Sequence, residues 1–119
     1  MTLQSFKDLI VWQKAILLVK HIYILTEELP KSEVFGLAGQ MRRAAISIPS
    51  NIAEGYKRKN TKEYIQFLSI ADASAAELET QIIIMKEVYK TSNASGSEST
   101  LLEIQKMLIT LIRKLNPRP

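Results

Sequence analysis

The sequence contains no cysteine among its 119 residues. Disulfide bonds, thiolate nucleophiles and cysteine-ligated zinc or iron–sulfur sites are therefore excluded. Glycine and proline occur only four times each, and aromatic residues make up 7% of the chain. Because β-sandwiches and barrels need many turns and strands rich in aromatic or β-branched residues, this composition favours an all-α fold.

The sequence also lacks an apolar run that is long enough to span a bilayer. The longest such run, residues 15–25, is interrupted by Lys20 and His21 and is shorter than the roughly 20 residues that a transmembrane helix needs. The start of the chain does not show the basic segment followed by an apolar segment that marks a signal peptide. We therefore predict a cytoplasmic protein without membrane contact. The net charge of +4 permits an acidic partner without requiring one.

Four segments carry apolar residues at three- and four-residue steps, which is the spacing of one helical face. The predicted helices cover residues 8–29, 33–54, 61–89 and 101–115, and the second of them begins at either Ser32 or Glu33. Short connections between long helices make consecutive helices antiparallel neighbours. The predicted fold is thus all-α, with a single domain over residues 1–119 that forms an antiparallel up-down-up-down four-helix bundle.

The first helix carries two apolar stripes on neighbouring faces. The first stripe consists of Leu9, Trp12, Ile16, Val19 and Tyr23. The second stripe consists of Val11, Ala15, Leu18, Ile22 and Leu25. Because one stripe is enough for a bundle core, the second is predicted to form an oligomer interface.

The second helix contains a proline within its apolar pattern. Its core stripe is predicted to be Leu37, Met41, Ala45, Ile48 and Ile52. Pro49 lacks an N–H group, so the segment forms either two short helices or one kinked helix. The apolar spacing keeps its phase across the proline, which favours one helix kinked at Pro49. Gly55 is then well placed as its C-terminal cap.

The third helix has the most regular pattern in the chain. Asn60 and Glu63 have the spacing of a capping box. The apolar seam that follows is typical of left-handed bundle packing and comprises Tyr64, Leu68, Ala71, Ala75, Leu78, Ile82, Met85 and Tyr89. Residues 91–100 are polar and are predicted to form a flexible connection. The seam of the fourth helix comprises Leu101, Ile104, Leu108, Leu111 and Leu115.

No catalytic pattern stands out on these helices. A di-iron site in a bundle needs two Glu-x-x-His motifs, whereas this chain has one histidine, His21, with no glutamate three residues before it. Phosphate-binding glycine loops, zinc-protease motifs and nucleophile elbows do not occur. We therefore predict a protein that is not an enzyme and that needs no metal, cofactor or small-molecule substrate.

A row of polar residues borders the apolar stripe of the second helix. Its members fall within an arc of roughly 80° at 100° per residue, and they are Gln40, Arg43, Ser47, Asn51 and Glu54. Such a row is either the solvated edge of the bundle or a buried or interfacial polar network in which Arg43 pairs with a carboxylate. A network of this kind can fix helix register and oligomer state.

The connection between the second and third helices is strongly basic. Its cations lie beside a helix N-terminus, where unpaired N–H groups also attract anions. Basic residues after a helix C-terminus also favour its dipole, so plain solvation is the competing interpretation. The predicted nucleic-acid-binding residues are Arg42, Lys57, Arg58, Lys59 and Lys62.

Three stretches of the sequence resemble a known family. The run EVFGLAGQMRRAAISIPSNIAEGYKR (residues 33–58) resembles the signature of the four-helix-bundle proteins encoded in bacterial 23S rRNA intervening sequences. FKDLIVWQKA (6–15) resembles the opening helix of that family, and EYIQFLSIADASAAELETQI (63–82) resembles its third. The resemblance implies a homo-oligomeric bundle, with a five-membered ring known in the family, and a connection to RNA. It supplies no catalytic residues.

Two hypotheses for the function follow. The first is a non-enzymatic homo-oligomer, a pentamer by resemblance, that binds structured RNA or a nucleic-acid complex through its basic loops. The second is a structural or adaptor protein that assembles with itself and a protein partner and has no nucleic-acid role. Salt dependence separates the two, because phosphate contacts release counterions.

Overall fold

The computed structural model describes residues 5–90 and 93–116 of the chain. Its helices are α1 (Ile10–Thr26), α2 (Leu37–Tyr56), α3 (Thr61–Tyr89) and α4 (Ser95–Leu115), with short 3-10 helices at Phe6–Asp8 and Lys31–Glu33. These described ranges contain no strand. The prediction of an all-α protein with four helices is confirmed.

The four helices surround one apolar core. α2 packs against α3, α1 packs against both α2 and α4, and α3 packs against α4, so each helix has two neighbours. The largest fully buried side chains are Leu18, Ile22, Met41, Ile48, Ile52, Leu68, Leu78, Ile82, Met85, Ile104 and Leu108. Within the described residues, no helix is both long and apolar enough to cross a membrane.

The second helix begins at Leu37, later than the sequence predicted, because residues 31–33 form a 3-10 turn. Gly36 precedes the helix and has no side chain that could cap it. The Glu33 carboxylate supplies the cap instead, since its Oε1 accepts a hydrogen bond from the Leu37 N–H at 3.0 Å. The same carboxylate accepts a hydrogen bond from the Tyr89 hydroxyl, which ties this turn to the end of α3.

α2 continues through Pro49 as one helix, so the interpretation as two short helices is wrong. A kink at Pro49 stays a prediction. The prediction that Gly55 caps this helix is also wrong, because Gly55 lies inside α2 without a positive φ. Gly55 is buried where α2 meets α3, and a Cβ placed there would lie 2.7 Å from the Phe67 Cβ. Its missing side chain therefore allows close approach of the two helices.

The bounds of α3 agree with the sequence. The Asn60 Oδ1 accepts a hydrogen bond from the Glu63 N–H at 2.8 Å, as expected of a capping residue. The apolar seam from Leu68 to Met85 is buried, whereas Tyr89 lies exposed at the end of the helix.

α4 begins at Ser95, six residues before its predicted start, so most of the expected flexible connection is helical. Ser97 and Thr100 are buried in this first part of the helix, and Ala94 is buried just before it. Small side chains here allow close packing despite their polar character. Residues 91–92 of the predicted connection lie outside the described residues.

Candidate nucleic-acid interface

The loop that joins α2 and α3 presents three exposed lysines. Lys57 follows the last turn of α2, Lys59 lies in the loop, and Lys62 lies in the first turn of α3. All three side chains are exposed, and within the described residues none of them forms an ion pair. Their charges are therefore available to an external anion.

Arg58 differs from the three lysines because its guanidinium group has partners within the chain. It lies 3.6 Å from a carboxylate oxygen of Glu54 and 4.6 Å from the centre of the Phe67 ring. Both the carboxylate and the ring face attract a cation. Arg58 is thus held against α3. The sequence pattern did not reveal Phe67 as its neighbour, because the two residues belong to different helices.

The N-terminus of α3 contributes less to anion binding than the sequence suggested. Asn60 already occupies the Glu63 N–H group, and its Nδ2 donates a hydrogen bond to the Glu63 carboxylate at 3.1 Å. A carboxylate in the first turn also offsets the positive end of the helix dipole. Attraction for a phosphate at this loop therefore comes mainly from the lysine side chains.

Two tyrosines lie beneath the basic loop. The Tyr56 and Tyr64 rings meet edge to face, with their centres 6.1 Å apart. Burial, together with the neighbouring Tyr56 hydroxyl, raises the pKa of Tyr64 above its usual value. Tyr56 is partly buried in this pair, so it stabilises the loop more than it offers a free stacking surface.

Arg42 lies apart from the basic loop. The prediction that groups it with the nucleic-acid-binding residues of that loop is therefore wrong. It is separated from Lys57 by about 22 Å of helix at 1.5 Å per residue. Its Nε donates a hydrogen bond to the Thr26 hydroxyl at 2.9 Å, and its guanidinium lies 4.7 Å from the centre of the Tyr23 ring. Arg42 therefore fastens α2 to α1.

The polar row of α2 divides into an inner and an outer part. The Ser47 hydroxyl lies 2.9 Å from the Ser74 hydroxyl of α3, and the Asn51 amide donates to both the carbonyl and the hydroxyl oxygen of Ser47. These three side chains form a small network between α2 and α3. Sequence reasoning missed Ser74, although a small polar residue within the apolar seam of α3 was the available signal.

The outer part of the row faces solvent. Gln40, Arg43 and Glu54 are exposed. Arg43 has no ion pair within the described residues, so the interpretation of a buried Arg43 paired with a carboxylate of the same chain is wrong. A pair across an interface between copies stays a prediction. Arg43 lies far enough around the helix to reach water, whereas Ser47 and Asn51 turn towards α3.

The five residues predicted as the oligomer interface belong to the core of the single chain. Their exposure does not exceed 5%, and they are Val11, Ala15, Leu18, Ile22 and Leu25. The choice between the two stripes of α1 was therefore wrong. Spacing identifies two apolar faces but does not show which of them points at the other helices.

The other stripe of α1 instead lines a surface groove against α2. This α1–α2 groove has a volume of about 330 Å³ and is lined by Phe6, Trp12, Ile16, Val19, Ile46, Pro49, Ser50 and Ala53. The Phe6 and Trp12 rings pack edge to face at its end, with their centres 5.4 Å apart. Seven of the eight lining side chains are apolar, so the α1–α2 groove is one of the apolar surfaces that α1 leaves uncovered.

The described residues contain no group of three or more histidine, aspartate or glutamate side chains placed to hold a metal ion. His21, the one histidine of the chain, lies on α1 and lines a surface pocket with Glu28 and with Ser97 of α4.

A family model for the 23S rRNA-intervening sequence protein matches residues 7–110, which include α1, α2, α3 and most of α4. The chain belongs to this family. The family description names no enzymatic activity. No curated protein matches the chain.

A solved structure with a similar fold comes from Bacteroides thetaiotaomicron VPI-5482 and is described as a protein of unknown function from the S23 ribosomal protein family. The two chains are 23% identical, and their superposition has a TM-score of 0.76. It covers 87% of this chain and 98% of the other. The likeness shows that the two proteins share a fold.

Proposed function

We propose that this member of the 23S rRNA-intervening sequence protein family is a non-enzymatic, cytoplasmic homo-oligomer that binds structured RNA. The binding groups are the cations of the α2–α3 loop. The observation that carries the proposal is the exposure of Lys57, Lys59 and Lys62 without a carboxylate partner in the described chain. The description of the family by an rRNA intervening sequence supports RNA as the polyanion.

The proposal includes an up-down-up-down order of the helices. Two contacts between α3 and α4 support it. Lys86 lies 2.9 Å from Glu98, and Glu79 accepts a hydrogen bond from Gln105. Because Glu79 precedes Lys86 by two turns whereas Gln105 follows Glu98 by two turns, the two helices run in opposite directions. The salt bridge between Lys14 and Glu103, at 3.2 Å, together with the pocket that His21 and Ser97 line, fits α1 and α4 running in opposite directions. In this order the last turn of α4 lies at the same end of the bundle as the α2–α3 loop.

The arrangement gathers cations at one end of the bundle. This basic end comprises residues 7–8, 54–63 and 113–114, which carry seven cations and three carboxylates. The acidic end comprises residues 27–33, 86–90 and 98, which carry three cations and five carboxylates. A phosphate chain is therefore attracted to the basic end and repelled from the acidic end.

Self-association is proposed to use the α1–α2 groove in place of the buried stripe. Ile16 and Ile46 are 38% and 41% exposed and Trp12 is partly exposed, so each would contribute about 0.5–1 kcal/mol if it became fully buried between copies. An assembly would also repeat the basic end around its rim, and linked weak phosphate contacts gain strength through effective concentration. The family resemblance supports five copies.

Filter binding of an RNA hairpin across a salt series tests the proposal. About four phosphate contacts give a slope of log affinity against log salt near −3. Lys57→Glu combined with Lys59→Glu should reduce the steepness by about 1.4 and weaken binding to all RNA sequences alike, because phosphate contacts carry no base information.

The matched control combines Lys20→Glu with Lys90→Glu. Both residues are exposed and lie outside the basic end, and the change in net charge is the same. This control should keep the slope of the wild type. Equal losses in both double variants, or no binding at low salt, would contradict the proposal and favour the adaptor that binds a protein partner.

A further inference from the structure

Phe35 is the most exposed large apolar side chain of the described chain, with 93% of its surface accessible to solvent. It lies in the turn between the 3-10 helix Lys31–Glu33 and α2, next to Val34, which is 46% exposed. An aromatic ring left in water in this way is typical of a binding anchor, because aromatic residues dominate the energetics of protein interfaces.

The backbone around Phe35 is held in place. The Val34 N–H donates to the Lys31 carbonyl at 3.1 Å, and the Gly36 N–H donates to the Glu33 carbonyl at 3.0 Å. The Glu33 carboxylate accepts hydrogen bonds from the Leu37 N–H and the Tyr89 hydroxyl, so the turn is anchored to both α2 and α3. Phe35 is therefore presented on an ordered turn, which lowers the entropy cost of binding.

A second groove, between α3 and α4, has the size and polarity to receive a phenyl ring. This α3–α4 groove has a volume of about 220 Å³ and is lined by Ile82, Ile83, Leu101 and Leu102, with Glu79, Glu98 and Gln105 beside them. A cavity of about 150 Å³ in another protein accommodates benzene, so the volume is sufficient. Ile83 and Leu102 are 51% and 52% exposed, so the apolar walls are open to a partner.

The turn and the groove lie at the same end of the bundle but on opposite sides. The contact between Glu33 and Tyr89 brings the turn to the end of α3, and the Lys86–Glu98 salt bridge places the start of α4 there as well. The turn, however, joins α1 to α2, whereas the groove lies between α3 and α4. Because the helices pack in the cycle α1, α2, α3, α4, Phe35 cannot fill the groove of its own chain.

We propose that Phe35 inserts into the α3–α4 groove of a second copy of this chain. The inference rests on the homo-oligomer of the proposed function and assigns its mating surfaces. The charged groups beside the two features allow one ion pair between copies. Lys31 is exposed and forms no ion pair within the described residues, and the Glu79 carboxylate at the groove has a neutral partner, Gln105.

The contact joins two different surfaces, so it repeats from copy to copy and generates a ring when the rotation closes. In this arrangement neighbouring bundles lie side by side with their long axes aligned. The α1–α2 groove of one copy then faces the α3–α4 side of the next copy, closer to the basic end than the Phe35 contact. All basic ends then point in one direction.

Phe35→Ser tests the contact, because so exposed a side chain is not needed for folding. Removing the ring should weaken each contact about 10- to 100-fold. Light scattering after size exclusion should show several times 13.5 kDa for the wild type and a mass shifted towards 13.5 kDa for the variant. The matched control is Ile24→Ser, an apolar residue that is 66% exposed on α1 outside both grooves. The control should assemble like the wild type.

Photo-crosslinking tests the contact in the assembled protein, without a variant that fails to assemble. The residue p-benzoylphenylalanine replaces Phe35, and light and heavy isotope-labelled copies are mixed so that crosslinks between copies can be recognised. Crosslinks should map to residues 79–83 and 98–105 of the other copy. Crosslinks elsewhere, or an unchanged mass for Phe35→Ser in an assembled wild type, would overturn this contact and leave the proposed function intact. A monomeric wild type would overturn both.

Discussion

The two ends of the bundle use their charged residues in opposite ways. At the basic end, Lys57, Lys59 and Lys62 extend into solvent without an ion pair in the described chain. At the acidic end, Lys86 is paired with Glu98, and Glu33 accepts a hydrogen bond from Tyr89. The first end therefore presents an excess of cations to an external anion, whereas the second carries more carboxylates than cations.

The apolar side chains show the reverse pattern. Phe67 at the basic end is covered by Arg58, and Tyr56 packs on Tyr64. Phe35 at the acidic end stands almost wholly in water. One end is therefore suited to a polyanion, which it attracts through long-range charge, and the other to a protein surface, which it binds through short-range packing.

The largest expected difference in stability between the ends concerns their glycines. Gly55→Ala should lower the free energy of unfolding by about 1–2 kcal/mol, because overpacking against the Phe67 Cβ and the Tyr64 backbone outweighs the gain of about 1 kcal/mol in helix propensity. Gly96→Ala should raise it by up to about 1 kcal/mol, since a Cβ there meets nothing within 4 Å. Urea unfolding of both variants measures the difference. A stabilised Gly55→Ala would show that the helix contact at the basic end is looser than described.

A smaller effect is expected within the polar row of α2. Asn51→Ala removes both hydrogen bonds to Ser47 and should cost about 1–2 kcal/mol. Arg43→Met on the outer side of the same helix should change stability by less than about 0.5 kcal/mol, because Arg43 is exposed and unpaired within the described residues. Thermal unfolding distinguishes the two. A large loss for Arg43→Met would restore the buried ion pair predicted from the sequence.

The smallest effect concerns the acidic end and depends on pH. The hydrogen bond from Tyr89, together with the one from the Leu37 N–H, lowers the pKa of Glu33 below its usual 4.5. A lowered pKa stabilises the folded state above about pH 4.5, and this contribution is lost as the pH falls through the lowered value. Tyr89→Phe should therefore differ from the wild type at neutral pH and approach it in acid.

The same pair gives a second limit at high pH. The hydrogen bond to Glu33 raises the pKa of Tyr89 above 10.0, so its contribution is present below pH 10 and is lost as the pH rises through the raised value. Urea midpoints of wild type and Tyr89→Phe between acid and alkaline pH test both limits. A gap that widens in acid would rule out a charged Glu33 as the acceptor.

The sequence predicted the helices well where one apolar seam dominates, as in α3 and the second half of α4. It failed on α1, because two adjacent stripes are both apolar and the period alone does not orient the helix. The sequence-based prediction was also wrong at the start of α4, where Ser97 and Thr100 were assigned to a loop. Tertiary packing overrode local propensity there, since both side chains are buried.

The basic loop was predictable because its cations are contiguous in the sequence. Arg42 was misplaced because it shares their charge but not their position, and a helix rise of 1.5 Å per residue already separates it from Lys57. The contacts of Ser47 with Ser74 and of Arg58 with Phe67 were not predictable, since each joins two helices whose relative register the sequence does not specify. The sequence contains only a weak indication of an exposed Phe35, namely that Val34 and Phe35 form an apolar pair in the connecting segment between Pro30 and Gly36.

Lysine footprinting in the presence of an RNA hairpin tests the contrast between the two ends most directly. Each lysine is acetylated with and without RNA, and mass spectrometry reads the protection at every position in one sample. Lys57, Lys59 and Lys62 should be protected, and the protection should fade as salt rises. Lys20, Lys31 and Lys90 should react as in the free protein. Equal protection at all six lysines, or protection confined to Lys31 and Lys90, would contradict RNA binding at the basic end.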